Sequence, residues 1–155
     1  MAGLSDDVLQ SIGRIAVWAS WVELHLDDLA SELIDPRYEV GRALTRGKTA
    51  GALIEQIRAV LDTSAWRETE AAELLVPLLG RARAALAERN SIFHGIVYTG
   101  LTIEGARLEL VISSRRNRSG RLRPACDLEA ISRELHAVGN ALFEAGFSIR
   151  RSRKL

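Results

Sequence analysis

Cysteine is almost absent from this chain of 155 residues, which contains only Cys126. A single cysteine excludes an internal disulfide framework of the kind that supports small secreted domains. No apolar run approaches the roughly 20 residues needed to span a bilayer. Segment 1–7 is acidic and lacks the basic and apolar regions of a signal peptide. We therefore expect a cytoplasmic protein with no membrane segment.

Lysine is also scarce, since 19 of the 21 basic residues are arginine. Arginine binds phosphate through a planar fork of N–H groups that lysine lacks. The net charge of +1 is unevenly distributed, because residues 1–100 carry −4 and residues 101–155 carry +5. A high arginine content points towards an acidic partner, and a genome rich in G and C also raises the arginine content.

Apolar residues near the N-terminus recur at alternating steps of four and three, which predicts a long helix packed lengthwise in a bundle. Ser5 suits the start of this helix, because its hydroxyl can cap free backbone N–H groups. Pro36 ends it, because the residue before a proline is pushed out of helical geometry. The apolar seam consists of Val8, Ile12, Ile15, Ala19, Val22, Leu26, Leu29 and Leu33.

Four further helices are predicted, and Pro77 should kink or divide the third of them. In the last helix, Asp127 caps the start, Gly146 ends it, and Leu128, Ile131, Leu135, Val138 and Leu142 share one face. The four helices span residues 37–44, 49–61, 65–94 and 127–146.

The segment between the last two predicted helices has a different residue pattern, which does not predict a helix. Ile96–Tyr98 and Arg107–Ile112 predict two short strands, and the segment 99–106 joins them as a hairpin. An arginine-rich segment follows, which is either a solvated surface loop or a phosphate-binding segment for RNA. Its arginines are Arg115, Arg116, Arg118, Arg121 and Arg123.

The predicted fold class is therefore mainly α. We expect an up-and-down helical bundle with an inserted β-hairpin and basic loop before the last helix. No repeat or linker suggests a second domain, so a single domain over 1–149 is predicted, with the insertion at 96–124. The basic segment 150–155 is predicted to be a disordered tail.

One arginine interrupts the apolar stripe that follows Pro77. That stripe consists of Leu79, Ala82, Leu86, Arg89 and Phe93. A buried or half-buried arginine is costly unless it is paired. Arg89 is therefore either part of a structural ion pair or a functional group at the base of a cleft.

Arg89, Asn90 and His94 form a constellation that suits cleavage of an RNA phosphodiester. The reaction needs a base for the 2′-OH proton, an acid for the leaving 5′-oxygen and positive charge on the crowded phosphate, but no metal. A histidine exchanges protons near neutral pH, and an arginine stays charged. Asn90 lies one turn before His94, so it suits orienting the imidazole or binding phosphate.

Helix geometry adds a constraint on this pair. Five residues at about 100° each place Arg89 and His94 roughly 140° apart around the helix axis. One helix therefore presents them poorly to a single phosphate unless its last turn unwinds at Gly95. Two copies facing each other across a two-fold axis bring them into one cleft, which favours a homodimer with a composite site.

Other candidate sites lack the residues that their chemistry requires. Glu23 and His25 are only two positions apart, so their side chains diverge on a helix, and the chain offers too few ligands for zinc. Gly47-Lys48-Thr49 lacks the earlier glycine and the preceding strand of a Walker motif. We therefore expect no metal and no cofactor. The structural alternative for His94 is a helix-capping residue.

The motif Arg89-Asn90-x-x-x-His94, closing a late helix of a small helical domain, resembles the HEPN superfamily. The long first helix is also similar, with the acidic Glu23 beside its apolar seam. The resemblance covers about residues 5–95 and 127–146, and it departs at the insertion 96–124, where a simpler connection is expected.

This resemblance implies a metal-independent endoribonuclease that acts as a homodimer, such as a toxin or a defence effector. It implies that Arg89 and His94 are catalytic, that Asn90 assists them, and that Glu23 supports the site. A toxin of this kind would have an antitoxin protein as partner. The alternative is a non-catalytic HEPN module, which dimerises and binds a partner protein, a nucleotide or RNA.

Overall fold

The computed structural model shows a mainly helical bundle, as the sequence predicts. It describes the backbone of residues 5–94, 96–103, 106–112, 122–123 and 125–152, and side chains within 5–94 and 127–151. The helices are α1 (Asp6–Ile34), α2 (Tyr38–Thr45), α3 (Ala50–Leu61), α4 (Glu70–Phe93) and α5 (Ala125–Ser152). The strands are β1 (Ile96–Ile103), β2 (Ala106–Ile112) and β3 (Leu122–Arg123).

Helix α1 forms the centre of the bundle and packs against every other helix. It begins where the sequence predicts, because the Ser5 hydroxyl accepts from the Val8 N–H at 3.4 Å, and it is capped at its end by Asp35. Seven of the eight predicted seam residues are buried, and the eighth, Ile12, packs against the core from a partly buried position. The seam prediction is confirmed.

Helix α4 differs from its prediction at its start and at Pro77. The segment 62–69 forms turns, and the helix begins only at Glu70, because the Thr69 hydroxyl caps it by accepting from the Ala72 N–H at 3.2 Å. The prediction that α4 begins at residue 65 is therefore wrong. Pro77 does not divide the helix. A proline removes one backbone hydrogen bond, and burial of the flanking leucines 75, 78 and 79 offsets that loss.

The apolar stripe of α4 is correct up to Leu86 and wrong at its end. Leu79, Ala82 and Leu86 are buried, but Phe93 is 44% exposed. Ile92 is the buried residue of the last turn. Because one turn takes 3.6 residues, a stripe at steps of three and four rotates slowly around the helix axis. After four turns, Ile92 faces the core in place of Phe93. Phe93 is thereby released to contact Arg89.

Helix α5 continues beyond its predicted end. Gly146 lies inside the helix, which runs to Ser152. The predicted apolar face is buried, and Ala145 and Ile149 extend it at the same spacing, so packing on the bundle carries the helix past the glycine. The predicted disordered tail is wrong for 150–152, which are helical, and arginines in a last turn are favoured there. Residues 153–155 lie outside the described residues.

The strands form a sheet in the order β1-β2-β3. Strands β1 and β2 are antiparallel, with Ile96 opposite Ile112 and Ile103 opposite Ala106. The register shifts between Tyr98 and Leu101, where a glycine suits an irregular strand. Of the arginine-rich segment, the structure describes only the backbone at 122–123, which pairs with β2. The predicted RNA contacts of Arg115, Arg116, Arg118, Arg121 and Arg123 lie outside the described side chains.

Helix α2 crosses α1 so closely that Gly41 has no room for a side chain. A Cβ atom at this position would collide with the backbone oxygen and hydroxyl of Ser31 and lie 2.9 Å from the Asp35 carbonyl oxygen. Backbone atoms cannot move aside as a flexible side chain can. We therefore expect Gly41→Ala to lower the free energy of unfolding by about 1–3 kcal/mol.

Gly13→Ala is the matched control for this prediction, because Gly13 is exposed in α1 and no atom lies within 4 Å of the place that a Cβ would take there. In a helix interior alanine is favoured over glycine by about 1 kcal/mol, so this variant should be as stable as the parent or more stable. Denaturant unfolding measures both. Equal stability of the two variants would contradict the close approach of α2 to α1.

Candidate active site

The last turn of α4 carries the three residues predicted to be catalytic. Arg89 and Asn90 lie within the helix and line a cleft beside it. His94 is the C-terminal capping residue, and its backbone N–H donates to the Asn90 carbonyl oxygen at 3.0 Å. Its side chain is exposed one helical turn beyond the cleft lining. The structure thus groups Arg89 with Asn90 and leaves His94 at the helix end.

The Arg89 guanidinium is held from several sides. Its Nη1 donates to the Asn90 Oδ1 at 2.9 Å, and its Cζ lies 5.3 Å from the centroid of the Phe93 ring. The side chain is 26% exposed. Its Nε atom is buried and has no hydrogen-bond partner among the described residues. A buried donor without a partner costs free energy.

Glu23, which the family resemblance assigns to supporting the site, lies opposite Arg89. The Glu23 Oε1 is 3.7 Å from the Arg89 Nη1, and the Glu23 side chain is 41% exposed. This is the structural ion pair that the sequence left open as an alternative role for Arg89. Partly exposed pairs contribute roughly 0–1 kcal/mol, so the contact orients Arg89 more than it stabilises the bundle.

The side-chain amide of Asn90 is hydrogen-bonded to Arg89 in this structure. The sequence left two roles for it, namely orienting the His94 imidazole or binding phosphate. Because its carbonyl oxygen accepts from Arg89, its NH₂ group is the part that remains to donate to a ligand. This arrangement favours the phosphate-binding role.

The cleft has a volume of about 680 Å³ and lies between α1, the α2–α3 loop, the start of α3 and the second half of α4. Ligand sites commonly fall within about 300–1,000 Å³. Glu23, Arg89 and Asn90 form one wall of it, and the loop residues Gly47 and Lys48 form another.

Sequence reasoning missed Lys48 and Arg83 as cleft residues. Gly47-Lys48-Thr49 does not fit a Walker motif, but a lysine can line a cleft without belonging to such a motif. A signal existed for Arg83, which precedes Asn90 by seven residues and therefore lies on the same face of α4. No comparable signal existed for Lys48, because only the tertiary fold brings its loop to α4.

His25 is buried and 6% exposed, although the sequence places it beside the apolar seam. Its ring centroid lies 4.3 Å from Trp21 and 5.3 Å from Phe143, and its Nε2 has no hydrogen-bond partner among the described residues. Burial lowers the pKa of His25; the carboxylate of Asp28 opposes this and the Arg150 guanidinium adds to it.

This lowered pKa predicts that acid destabilises the fold through His25. As the pH falls, the unfolded chain binds the proton near pH 6.5, and the folded chain binds it only at a lower pH. The contribution of neutral His25 to the free energy of unfolding is therefore complete above pH 6.5 and is lost as the pH falls through the lower folded pKa. We expect the free energy of unfolding to fall between pH 7.5 and 5.5, and His25→Leu to reduce that fall.

Denaturant unfolding at the two pH values measures the effect. His136→Gln, at an exposed histidine of α5, is the control for the loss of a histidine that is not buried. An unchanged pH profile in His25→Leu protein would show that burial of His25 does not govern acid stability.

The described ranges contain neither a metal-binding cluster nor a helix suited to crossing a membrane. Within them, no group of three or more His, Cys, Asp or Glu side chains is placed to hold a metal ion. None of the helices in the described ranges combines the length and the apolar character that crossing a membrane requires.

Comparison with known proteins gives no relative. No family model, no curated protein and no solved structure matches the chain. The mainly helical bundle is the class that the structure defines.

Proposed function

We propose that the protein is a metal-independent endoribonuclease of HEPN type that acts as a homodimer. The observation that carries the proposal is the guanidinium of Arg89 on the wall of an open cleft, with its buried Nε unpartnered among the described residues. The amide of Asn90 is attached to it, and the exposed His94 follows one turn later. They provide positive charge for the phosphate and one group that can transfer a proton, which are two of the three requirements of phosphodiester cleavage without a metal.

The proposed reaction uses the nucleophile that RNA supplies. The 2′-oxygen attacks phosphorus and the bond from phosphorus to the 5′-oxygen breaks, which leaves a 2′,3′-cyclic phosphate and a free 5′-hydroxyl. One proton leaves the 2′-OH and one reaches the 5′-oxygen; His94 carries out one of these two transfers, and solvent water carries out the other. Arg89 and the Asn90 NH₂ stabilise the charge that develops on the non-bridging oxygens.

A homodimer completes this site. Arg89 and His94 point in directions roughly 140° apart on one helix, and α4 remains helical up to Phe93, so its last turn does not bring them together. A two-fold axis beside the end of α4 would place the Arg89 of one copy near the His94 of the other. The insertion 96–124 follows α4 directly in the chain and is suited to extend such a contact. Its arginines would bind further phosphates of the RNA.

A toxin or defence effector is the proposed biological role, and it carries two further expectations. An antitoxin protein would cover the cleavage site in the resting cell. Both the toxin and its RNA target would be cytoplasmic. Growth arrest on expression, relieved by an inactivating substitution at His94, would support this role.

Digestion of single-stranded RNA in the presence of EDTA tests the proposed activity. The purified protein should cleave RNA under these conditions, and the products should carry 2′,3′-cyclic phosphate ends. Cleavage that requires a divalent metal, or products with 5′-phosphate ends, would contradict the mechanism.

A second candidate function is a non-catalytic HEPN module that dimerises and binds a partner. The observation that favours it is the exposure of Phe143 and Phe147 on one face of α5, at 46% and 56%. Aromatic side chains exposed together often mark a protein interface. This candidate predicts no cleavage of any RNA, and it predicts that substitutions of Arg89 affect stability alone.

A further inference from the structure

The cleft beside Arg89 contains a second cationic group that the proposed catalysis does not use. Lys48 lies in the loop before α3 and lines the same cleft as Arg89 and Asn90. Gly47 gives that loop its sharp turn, with a φ of +74° that favours glycine. The turn is closed by the Lys48 N–H, which donates to the Thr45 carbonyl oxygen at 3.1 Å.

Some charged side chains that line the cleft are paired with an opposite charge, and Lys48 contacts a neutral group. Arg83 is paired with Glu55, Arg89 faces Glu23, and Asp27 is paired with Arg42, which also contacts Asp28. The Lys48 ammonium instead donates to the neutral side chain of Gln56, at 2.7 Å. The hydrogen bond that the structure gives this lysine therefore leaves its charge uncompensated, and an anion in the cleft would be attracted to it.

The start of α3 adds to this attraction. Thr49 caps the helix, with its hydroxyl accepting from the Ala52 N–H and its carbonyl oxygen from the Leu53 N–H. The preceding N–H groups, of Ala50 and Gly51, belong to residues that line the cleft. N–H groups at this position in a helix have no intrahelical acceptor and carry the positive end of the helix dipole.

We propose that this cleft binds a nucleoside phosphate, with Lys48 and the start of α3 holding a phosphate other than the one that Arg89 holds. The volume of about 680 Å³ accommodates a nucleotide. The phosphate belongs either to the RNA chain or to a free nucleotide. Where RNA is the source, the inference rests on the proposed ribonuclease function and adds a substrate subsite to it.

Binding of an RNA that cannot be cleaved separates this subsite from catalysis. A fluorescent 2′-O-methyl oligonucleotide has no free 2′-OH, so its affinity can be measured by anisotropy across a salt series without turnover. Loss of one phosphate contact should reduce the salt slope of log Kobs by about 0.7. We expect this reduction in Lys48→Gln protein, with binding roughly fivefold to tenfold weaker at low salt.

Gly51→Glu provides a second variant that should fold. A Cβ atom at Gly51 meets its nearest neighbour only at 4.0 Å, and a carboxylate in the first turn of a helix is favoured. The added negative charge should weaken binding as Lys48→Gln does. Arg133→Gln is the matched control, because it removes one charge at an exposed position on α5 outside the cleft lining, and it should bind as the parent.

The outcomes of this experiment identify the source of the phosphate. They also distinguish failure of the proposed subsite from failure of the proposed ribonuclease function. Competition by AMP or ADP assigns the site to free nucleotides, and binding of the oligonucleotide alone assigns it to RNA. If the protein does not cleave RNA but binding depends on Lys48, the subsite stands and the ribonuclease proposal fails. Parental affinity and salt slope in both Lys48→Gln and Gly51→Glu protein, or binding of neither probe by the parent, would overturn the subsite.

Discussion

His94→Ala protein is expected to cleave RNA at least about a hundredfold more slowly than the parent. Removal of a positioned acid or base typically costs about 10²–10⁴-fold in rate. The substitution deletes the imidazole that the proposed mechanism uses for proton transfer, and His94 does not line the Arg89 cleft. Initial rates on one single-stranded RNA in EDTA, with both proteins at equal concentration, measure the loss.

The fold should survive this substitution, so a loss of rate can be assigned to chemistry. The His94 side chain is exposed, and the contact that caps α4 is made by its backbone N–H. Surface substitutions of this kind change stability by roughly 0.5 kcal/mol or less. His136→Ala, at another exposed histidine, should keep parental cleavage. Cleavage by His94→Ala protein at the parental rate would remove His94 from the mechanism.

Arg89→Ala is expected to slow cleavage by about 10²–10³-fold, the effect of removing one group that stabilises developing negative charge. Arg89→Lys should recover only part of the rate. Lysine keeps the charge beside Glu23 but lacks the planar fork that reaches the Asn90 amide and a phosphate together. Single-turnover rates at saturating enzyme separate this effect from weakened binding.

Glu23→Gln distinguishes a catalytic Arg89 from a purely structural one. The ion pair is long and partly exposed, so its loss should cost no more than about 1 kcal/mol of stability and leave most of the cleavage rate. A structural Arg89 would instead make Glu23→Gln and Arg89→Ala equivalent in both stability and activity. That equivalence would show that Arg89 acts only through its ion pair with Glu23.

Hydrophobic periodicity predicted the parts of the fold that depend on one helix face. The α1 seam and the inner face of α5 are buried as predicted, because a lengthwise contact imposes the same spacing throughout. Helix ends were harder to predict. Gly146 and Pro77 are local signals for a break, but both lie inside helices whose buried residues continue on either side.

The candidate site was predictable only as far as it lies on one helix. Arg89 was identified because it interrupts an apolar stripe, and the structure does place it half-buried beside a cleft. The cleft itself requires the loop at Lys48 to meet α4 across the fold, and no local pattern encodes that meeting. For the same reason, no local pattern in one chain encodes which residue would meet His94 across a two-fold axis.

Mixing two inactive variants tests the composite dimer site most directly. Arg89→Ala and His94→Ala protein, unfolded together and refolded as a mixture, should form mixed dimers in about half of the population. Each mixed dimer holds one intact pair, the Arg89 of one copy with the His94 of the other. We expect the mixture to recover about a quarter of parental RNA cleavage in EDTA. A mixture as inactive as its two components would contradict a site shared between two copies.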